Sequence, residues 1–416
     1  MKEVVVLSAS RTGIGKYMGS LKDFTAIELG TIAVKDVIKK AEINPEKVEE
    51  IIIGNVLSSG LGQNPARQIA LNSGLPVSIE AYNVNMVCAS GLRAIVNAVS
   101  EIRSGYHDLI IAGGIESMSR APYIIPRNYI GKKFGNLKLD DELYATLANA
   151  ILIDSMIYDG LLDAYHNIHM GITGEIIAQK FNLSREEIDK FALESHQKAA
   201  KSIKEGKFND EIVPIKVGDF IFATDEGVKP DTTLEKLSKL QPVFEPKDDS
   251  LRIKIKELFG IDSYKLTAGN SSQISDGAGA LILASEEKAK ELGKQYLAKV
   301  KDYYCAGTKP EFLMYAPVPA VKELLKRNGL TVDDIDLYEH NEAFASASIV
   351  FQQELGIDSK KFNVNGGAVA RGHPIGASGA IYTTSLLYEM ERRNAHRSVI
   401  VFCLGGGNAL AVLIER

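Results

Sequence analysis

Three short stretches recur along the 416-residue chain in the same order and at nearly constant spacing. Val48-Glu49-Glu50-Ile51 resembles Val332-Asp333-Asp334-Ile335 at an offset of 284, Ala89-Ser90-Gly91 returns as Ala377-Ser378-Gly379 at 288, and Ala112-Gly113-Gly114 resembles Leu404-Gly405-Gly406 at 292. A single tripeptide match is cheap; the shared order carries the weight. It implies two homologous halves, and the chain is long enough to give each its own core, since one core stops growing at roughly 250–300 residues.

Short apolar runs at 4–7, 51–53, 109–112, 281–284 and 399–402 are bounded by Gly or polar residues. Helical patterns lie between them, clearest in Leu92, Ile95, Val96, Val99 and Ile102. Buried strands alternating with helices predict an α/β fold with a mostly parallel sheet. A stretch of different character, 119–262, is rich in charge and helix formers and reads as an inserted domain over the sheet's active edge. Within it Ser184, followed three residues on by Glu187, predicts a capping box. The run Phe244 to Tyr264 reads as an extended surface excursion. The division is thus 1–118 plus 263–286, then 119–262, then 287–416.

Composition narrows the function classes. Hydrophobic content of 45% and charged content of 24% fit a soluble globular enzyme. A net charge of −5 without a basic block excludes a nucleic-acid binder of the usual kind. The apolar runs are far below membrane-spanning length, and Met1-Lys2-Glu3 running into Val4-Val5-Val6-Leu7 is too short for a signal segment. Three cysteines, an odd number, argue for a reducing compartment, by default the cytoplasm.

Four constellations carry chemistry. In Asn85-Met86-Val87-Cys88-Ala89-Ser90-Gly91-Leu92 a strand-like approach meets a helix near Cys88, where backbone N–H groups and the helix dipole favour thiolate. A buried cysteine acting as a small hydrophobe is the competing reading. In Asn365 to Gly379, Pro374 fits the first turn of a helix and puts His373 at its positive end, which favours the neutral imidazole a general base requires; a plain Gly-rich turn is the alternative. Phe402-Cys403-Leu404-Gly405-Gly406-Gly407 sets a second cysteine at the carboxyl end of a buried strand, where active sites of α/β sheets gather, although a glycine turn after a core cysteine reads equally well. Glu339-His340-Asn341-Glu342-Ala343-Phe344-Ala345 offers Asn341 to hold water, or a capping role for the acids. No Cys/His cluster has metal-ligand spacing, so no metal is expected. Cys305 is expected in the core, and His107, His166 and His340 as structural or exposed.

Together these four stretches resemble the thiolase family along essentially the whole chain, supported by Asn64-Pro65-Ala66-Arg67-Gln68, Ala112 to Ser119, Ile168-His169-Met170-Gly171 and Thr267-Ala268-Gly269-Asn270-Ser271-Ser272. The resemblance implies a thiolase fold, two duplicated βαβαβαββ halves with an inserted loop domain. It implies ping-pong acyl transfer with Cys88 as acyl-accepting nucleophile, His373 as its base and Cys403 as second acid/base. His373 with a water on Asn341 would form one oxyanion hole, and the backbone N–H groups of Cys88 and Gly405 the other. The substrate would be acyl-CoA, with no permanently bound cofactor, its pantetheine arm running past Leu161, His169, Met170, Ala268, Ser272, Ala343 and Phe344. Lys229 stands where acetoacetyl-CoA members carry an arginine for the nucleotide end. The loop Phe312-Leu313-Met314-Tyr315-Ala316-Pro317 departs from the short-chain Met-Gly-x-Gly-Pro pattern. Interconversion of two acetyl-CoA with acetoacetyl-CoA and CoA is the leading expectation, and a 3-ketoacyl-CoA thiolase of broader chain length the runner-up. A decarboxylating ketoacyl synthase and a non-catalytic scaffold subunit rank below. Homodimers or homotetramers are implied; nucleic acid and membrane are not.

Overall fold

The computed structural model describes residues 1–127 and 151–416. Its main sheet follows a path of nine strands: β1 (Val4–Thr12), β2 (Glu50–Gly54), β3 (Glu80–Val84), β4 (Leu109–Ser117), β5 (Ser275–Ser285), β6 (Ala298–Gly307), β7 (Leu337–His340), β8 (Arg397–Leu404) and β9 (Asn408–Glu415). Their spatial order is β7-β8-β9-β6-β1-β5-β4-β2-β3. The first half supplies β3-β2-β4-β5-β1 and the second β6-β9-β8-β7, so the halves meet where β1 pairs with β6.

The expectation of a mostly parallel sheet needs correction. Only the β2–β3, β2–β4 and β7–β8 pairs of this path are parallel. The other five pairs are antiparallel. The physical reason is the last strand of each half, which doubles back on its neighbour. β8 and β9 form a hairpin closed by Gly405, Gly406 and Gly407, the last two at φ 87° and 91°. A hairpin needs no crossover helix, and strands buried on both faces read the same in either direction.

Two helices occupy the centre. Ser90–Ser104 and Ser378–Arg393 share one core with strands from both halves, including Val4, Ile52, Leu283, Ile400 and Leu410. The helical stripe Leu92, Ile95, Val96, Val99 and Ile102 is fully buried there. On the outer face of the first half lie helices Ala26–Ala41 and Pro65–Asn72, and on that of the second Pro317–Arg327 and Ala345–Leu355. The central helices approach so closely that a Cβ on Gly379 would sit 2.1 Å from the Leu92 nitrogen, and one on Gly91 2.9 Å from that of Ala380. Both glycines belong to the repeated Ala-Ser-Gly.

Inside the inserted stretch, helix Arg185–Lys204 begins at a Ser184/Glu187 capping box. The excursion after Phe244 is not extended: Asp249–Phe259 is a helix, capped by the Asp248 side chain and ended by Gly260 at φ 71°. Cys305, expected in the core, is exposed on β6.

Candidate active site

The nucleophile candidate sits on a strained turn. After β3 the chain bends through Val87, a β-branched residue at φ 47°, a region such side chains rarely adopt. Ser90, the first residue of its helix, holds the bend: its Oγ accepts from the Met86 N–H at 2.8 Å and donates to the Val87 carbonyl at 2.7 Å. Asn85 Oδ1 accepts from the Val87 N–H at 3.0 Å. Cys88 is thereby presented between strand and helix, packed beside Met118, Leu161, Ile274 and Ile375 with part of its surface open.

Its electrostatics correct the expectation of a ready thiolate. The helix begins two residues later, at Ser90, and burial pushes the Cys88 thiol well above its ordinary pKa, with the charge of Cys403 adding to the shift. A base must therefore take the proton as the sulfur attacks.

His373 is the candidate base. It lies in the buried turn before helix Ser378–Arg393, five residues upstream of that helix's first residue, so burial rather than a helix field holds it neutral, pushing its pKa down to about 4. Its Nδ1 lies 2.7 Å from Ser378 Oγ, and that hydroxyl donates its one proton to the Pro374 carbonyl at 2.9 Å. The Ser378 oxygen must then accept from Nδ1–H, which leaves Nε2 as the bare lone pair. Nε2 is buried without a protein partner, and the ring lines a cavity of about 460 Å³.

Cys403 stands near the end of β8, fully enclosed. Asn341 Nδ2 is 3.4 Å from its Sγ, and Asn341 Oδ1 accepts the Cys403 N–H at 3.2 Å. Burial pushes its thiol up to about 11, against the lowering contact with Asn341. Gly405, two residues on, faces the nucleophile turn: a Cβ there would lie 3.4 Å from the Val87 side chain.

The same cavity collects most of the expected arm contacts: Leu161, His169, Met170, Ala268, Ser272 and Phe344 line it. Ala343 is buried just behind, its carbonyl accepting from the Ser272 N–H at 3.0 Å. Lys229 is exposed and does not line the cavity; its backbone N–H donates to His196 Nδ1. Sequence reasoning missed Phe244, whose ring stacks on His169 at 5.0 Å and meets Phe344 edge-on at 5.6 Å. Gly171 makes room for it, since a Cβ there would fall 2.2 Å from the Phe244 ring. It also missed Glu116, whose buried carboxylate accepts from the N–H groups of Val56, Leu57 and Gly376 and so ties the His373 turn to the first half.

A profile described as "Thiolase, N-terminal domain" matches residues 4–287, and one described as "Thiolase, C-terminal domain" matches 294–416. The chain belongs to the thiolase family. Among curated thiolase relatives, the acetyl-CoA acetyltransferases of Chromobacterium violaceum and Cupriavidus necator are 45% and 42% identical, each with the full length of both chains covered. The crystal structure of a thiolase from Ascaris suum in complex with coenzyme A matches the whole chain at a TM-score of 0.87 and 38% identity, with all of that chain covered. The thiolase fold is thus shared throughout. No helix among the described residues is long and apolar enough to cross a membrane.

Proposed function

We propose that this thiolase is an acetyl-CoA acetyltransferase that interconverts two acetyl-CoA with acetoacetyl-CoA and CoA through a Cys88 acyl-enzyme. The reading rests on the bare Nε2 of a neutral His373 at the wall of a cavity whose Met118 and Ile375 belong to the apolar cluster against which Cys88 packs. In acylation, Cys88 sulfur attacks the thioester carbonyl while His373 Nε2 takes its proton. The departing CoA sulfur takes the proton of Cys403, leaving thiolate and imidazolium as opposite charges in one pocket. Cys403 thiolate then removes the α-proton of a second acetyl-CoA, and the enolate attacks the acyl-enzyme. Cys88 sulfur leaves and recovers its proton from His373, so each group returns to its starting state. In reverse, Cys403 as a thiol protonates the departing enolate, which suits a group held at about 11.

Charge develops on the thioester oxygens in both steps, and preorganised donors stabilise it. His373 with a water on Asn341 serves one oxygen, and the N–H groups of Cys88 and Gly405 the other. The arm of CoA occupies the His169, Met170 and Phe344 sleeve. Met314 sulfur lies 3.7 Å from Cys403 Sγ, a bulky wall that favours short acyl groups over a broad-range 3-ketoacyl-CoA thiolase. The working form is a cytoplasmic homodimer or homotetramer.

Intact-protein mass spectrometry after incubation with acetyl-CoA tests the assignment. An acetyl adduct is expected on the native protein and on Cys403→Ala, which acylates but does not condense, and none on Cys88→Ala. An adduct persisting in Cys88→Ala defeats it. Thiolysis rates for C4 and longer 3-ketoacyl-CoAs decide chain length; a preference for C8 or longer replaces the acetyl reading with the broader one.

A further inference from the structure

Away from the cavity, at the opposite end of helix Ser90–Ser104, three side chains from separate elements converge. Glu50 opens β2, Glu101 lies in the helix's last turn, and His107 follows it. One ligand atom from each falls within 4.8 Å of the other two. Glu50 is 1% exposed; its Oε2, Glu101 Oε2 and His107 Nε2 are buried atoms, and the two carboxylates face each other with no donor between them unless they share a proton.

That concentration of unpaired atoms calls for a compensating group, because a buried polar atom left unpaired costs roughly 1–3 kcal/mol. The surroundings indicate its sign. Burial acts most on Glu50, then its side-chain hydrogen bond with Glu101, and the charges acting on it are those of Glu101 and Glu80, both negative. Glu80 Oε2 is 3.6 Å from His107 Nε2 and accepts from the Tyr106 hydroxyl. Glu101 Oε1 is held by the Tyr82 hydroxyl at 2.9 Å, which fixes the carboxylate and leaves its other oxygen facing inward. The last turn of a helix also presents its negative pole, where a cation is favoured.

We propose that Glu50, Glu101 and His107 form a divalent-cation site, with Glu80 or water completing the coordination. Two carboxylate oxygens and one imidazole nitrogen suit zinc or a similar borderline transition ion better than magnesium or calcium, which prefer all-oxygen sets. Ligand atoms of a tetrahedral ion with bonds of about 2.1 Å lie roughly 3.4 Å apart, so the three side chains need only a small inward closure. The ion pins the end of the Cys88 helix to the start of β2 and leaves the thiol chemistry untouched. Sequence spacing could not expose the site, because Glu50 lies 51 residues before Glu101 and two of the three ligands are carboxylates.

Cobalt(II) chloride titrated into the chelator-treated full-length protein tests it, followed by visible absorption and by thermal melting with zinc chloride. One cobalt per chain is expected, with visible bands that lack a thiolate-to-metal band and survive in Cys88→Ser/Cys403→Ser. The affinity is expected to fall by at least roughly 10–100-fold in Glu101→Gln and in His107→Gln, the loss typical of even an outer-sphere partner. Zinc is expected to raise the melting temperature of the native protein but not of these variants. Glu101→Gln keeps an acceptor for the Tyr82 hydroxyl, so it should fold. Three results overturn the proposal: no stoichiometric cobalt, cobalt bound equally by both variants, or bands that vanish with the thiols. A fourth is a melting temperature raised by Glu101→Gln alone and unmoved by zinc in the native protein, which marks a proton shared between the two glutamates instead.

Discussion

Ser90 and Ser378 are the same residue of the same repeated tripeptide, each the first residue of its central helix, yet they do different work. Ser90 bonds backward to Met86 and Val87 and braces a strained turn that presents a sulfur. Ser378 bonds backward to the Pro374 carbonyl and the His373 ring, and so selects which nitrogen carries the proton. One half uses the position to hold backbone shape, the other to set a side chain's protonation. The comparison teaches that a duplicated scaffold can keep its helix starts and helix contact while the loop before each helix takes on its own chemistry.

The largest effect is expected where the halves touch. Gly379→Ala drives a Cβ into the Leu92 backbone, which cannot yield as a side-chain tip can. A loss of about 3 kcal/mol or more is expected by denaturant titration. An unchanged midpoint breaks the picture of two helices locked through matched glycines. Next comes the pair of serines. Ser378→Ala frees the imidazole to populate the wrong tautomer, and a fall in acylation rate of about 10–100-fold is expected with little change in melting. Ser90→Ala is expected to destabilise by about 1–2 kcal/mol by loosening the turn around Val87. If both variants lose rate and stability alike, the division of labour fails.

A smaller effect sharpens the same contrast through pH. Acylation should stay flat from neutrality down to about pH 5, then fall about tenfold per unit below about 4, as His373 takes up its proton. The fold responds lower down. Burial alone would raise Asp225, but Arg11 and Arg371 hold it down to about 2. A depressed folded value means its stabilisation is complete above the ordinary carboxyl range near 4 and is lost as pH falls toward 2. A brief exposure to pH 3 should therefore cut acylation about tenfold and reversibly; stopped-flow acylation after a jump back to pH 7 checks this, and slow or partial recovery contradicts it.

Much of this was legible in the chain. The periodic stripe from Leu92 to Ile102 announced a buried helix, the ordered repeats announced the halves, and of the catalytic candidates in the four motifs His373 lines the cavity itself. What failed did so for physical reasons. Strands buried on both faces carry no directional signal, so the antiparallel pairs of β5 and β9 stayed hidden. Charge along 249–259 suggested an excursion, although Asp248 and Gly260 are an ordinary cap pair. Cys305 reads as core by residue type, but exposure depends on what covers β6. Glu116 was quoted only as part of a motif, because its role depends on three amides from distant segments. The protonation of Cys88 depends on enclosure, which local sequence does not record.

Gly405 brings one last consequence. A Cβ placed there would lie 3.4 Å from a Val87 methyl, an ordinary contact, so the hairpin that carries the second sulfur runs close to the turn that carries the first. Gly405 leaves between hairpin and turn a gap about one methyl group deep. A single methyl added at that point fits without displacing either sulfur, so the two half-reactions draw on turns that are held separately.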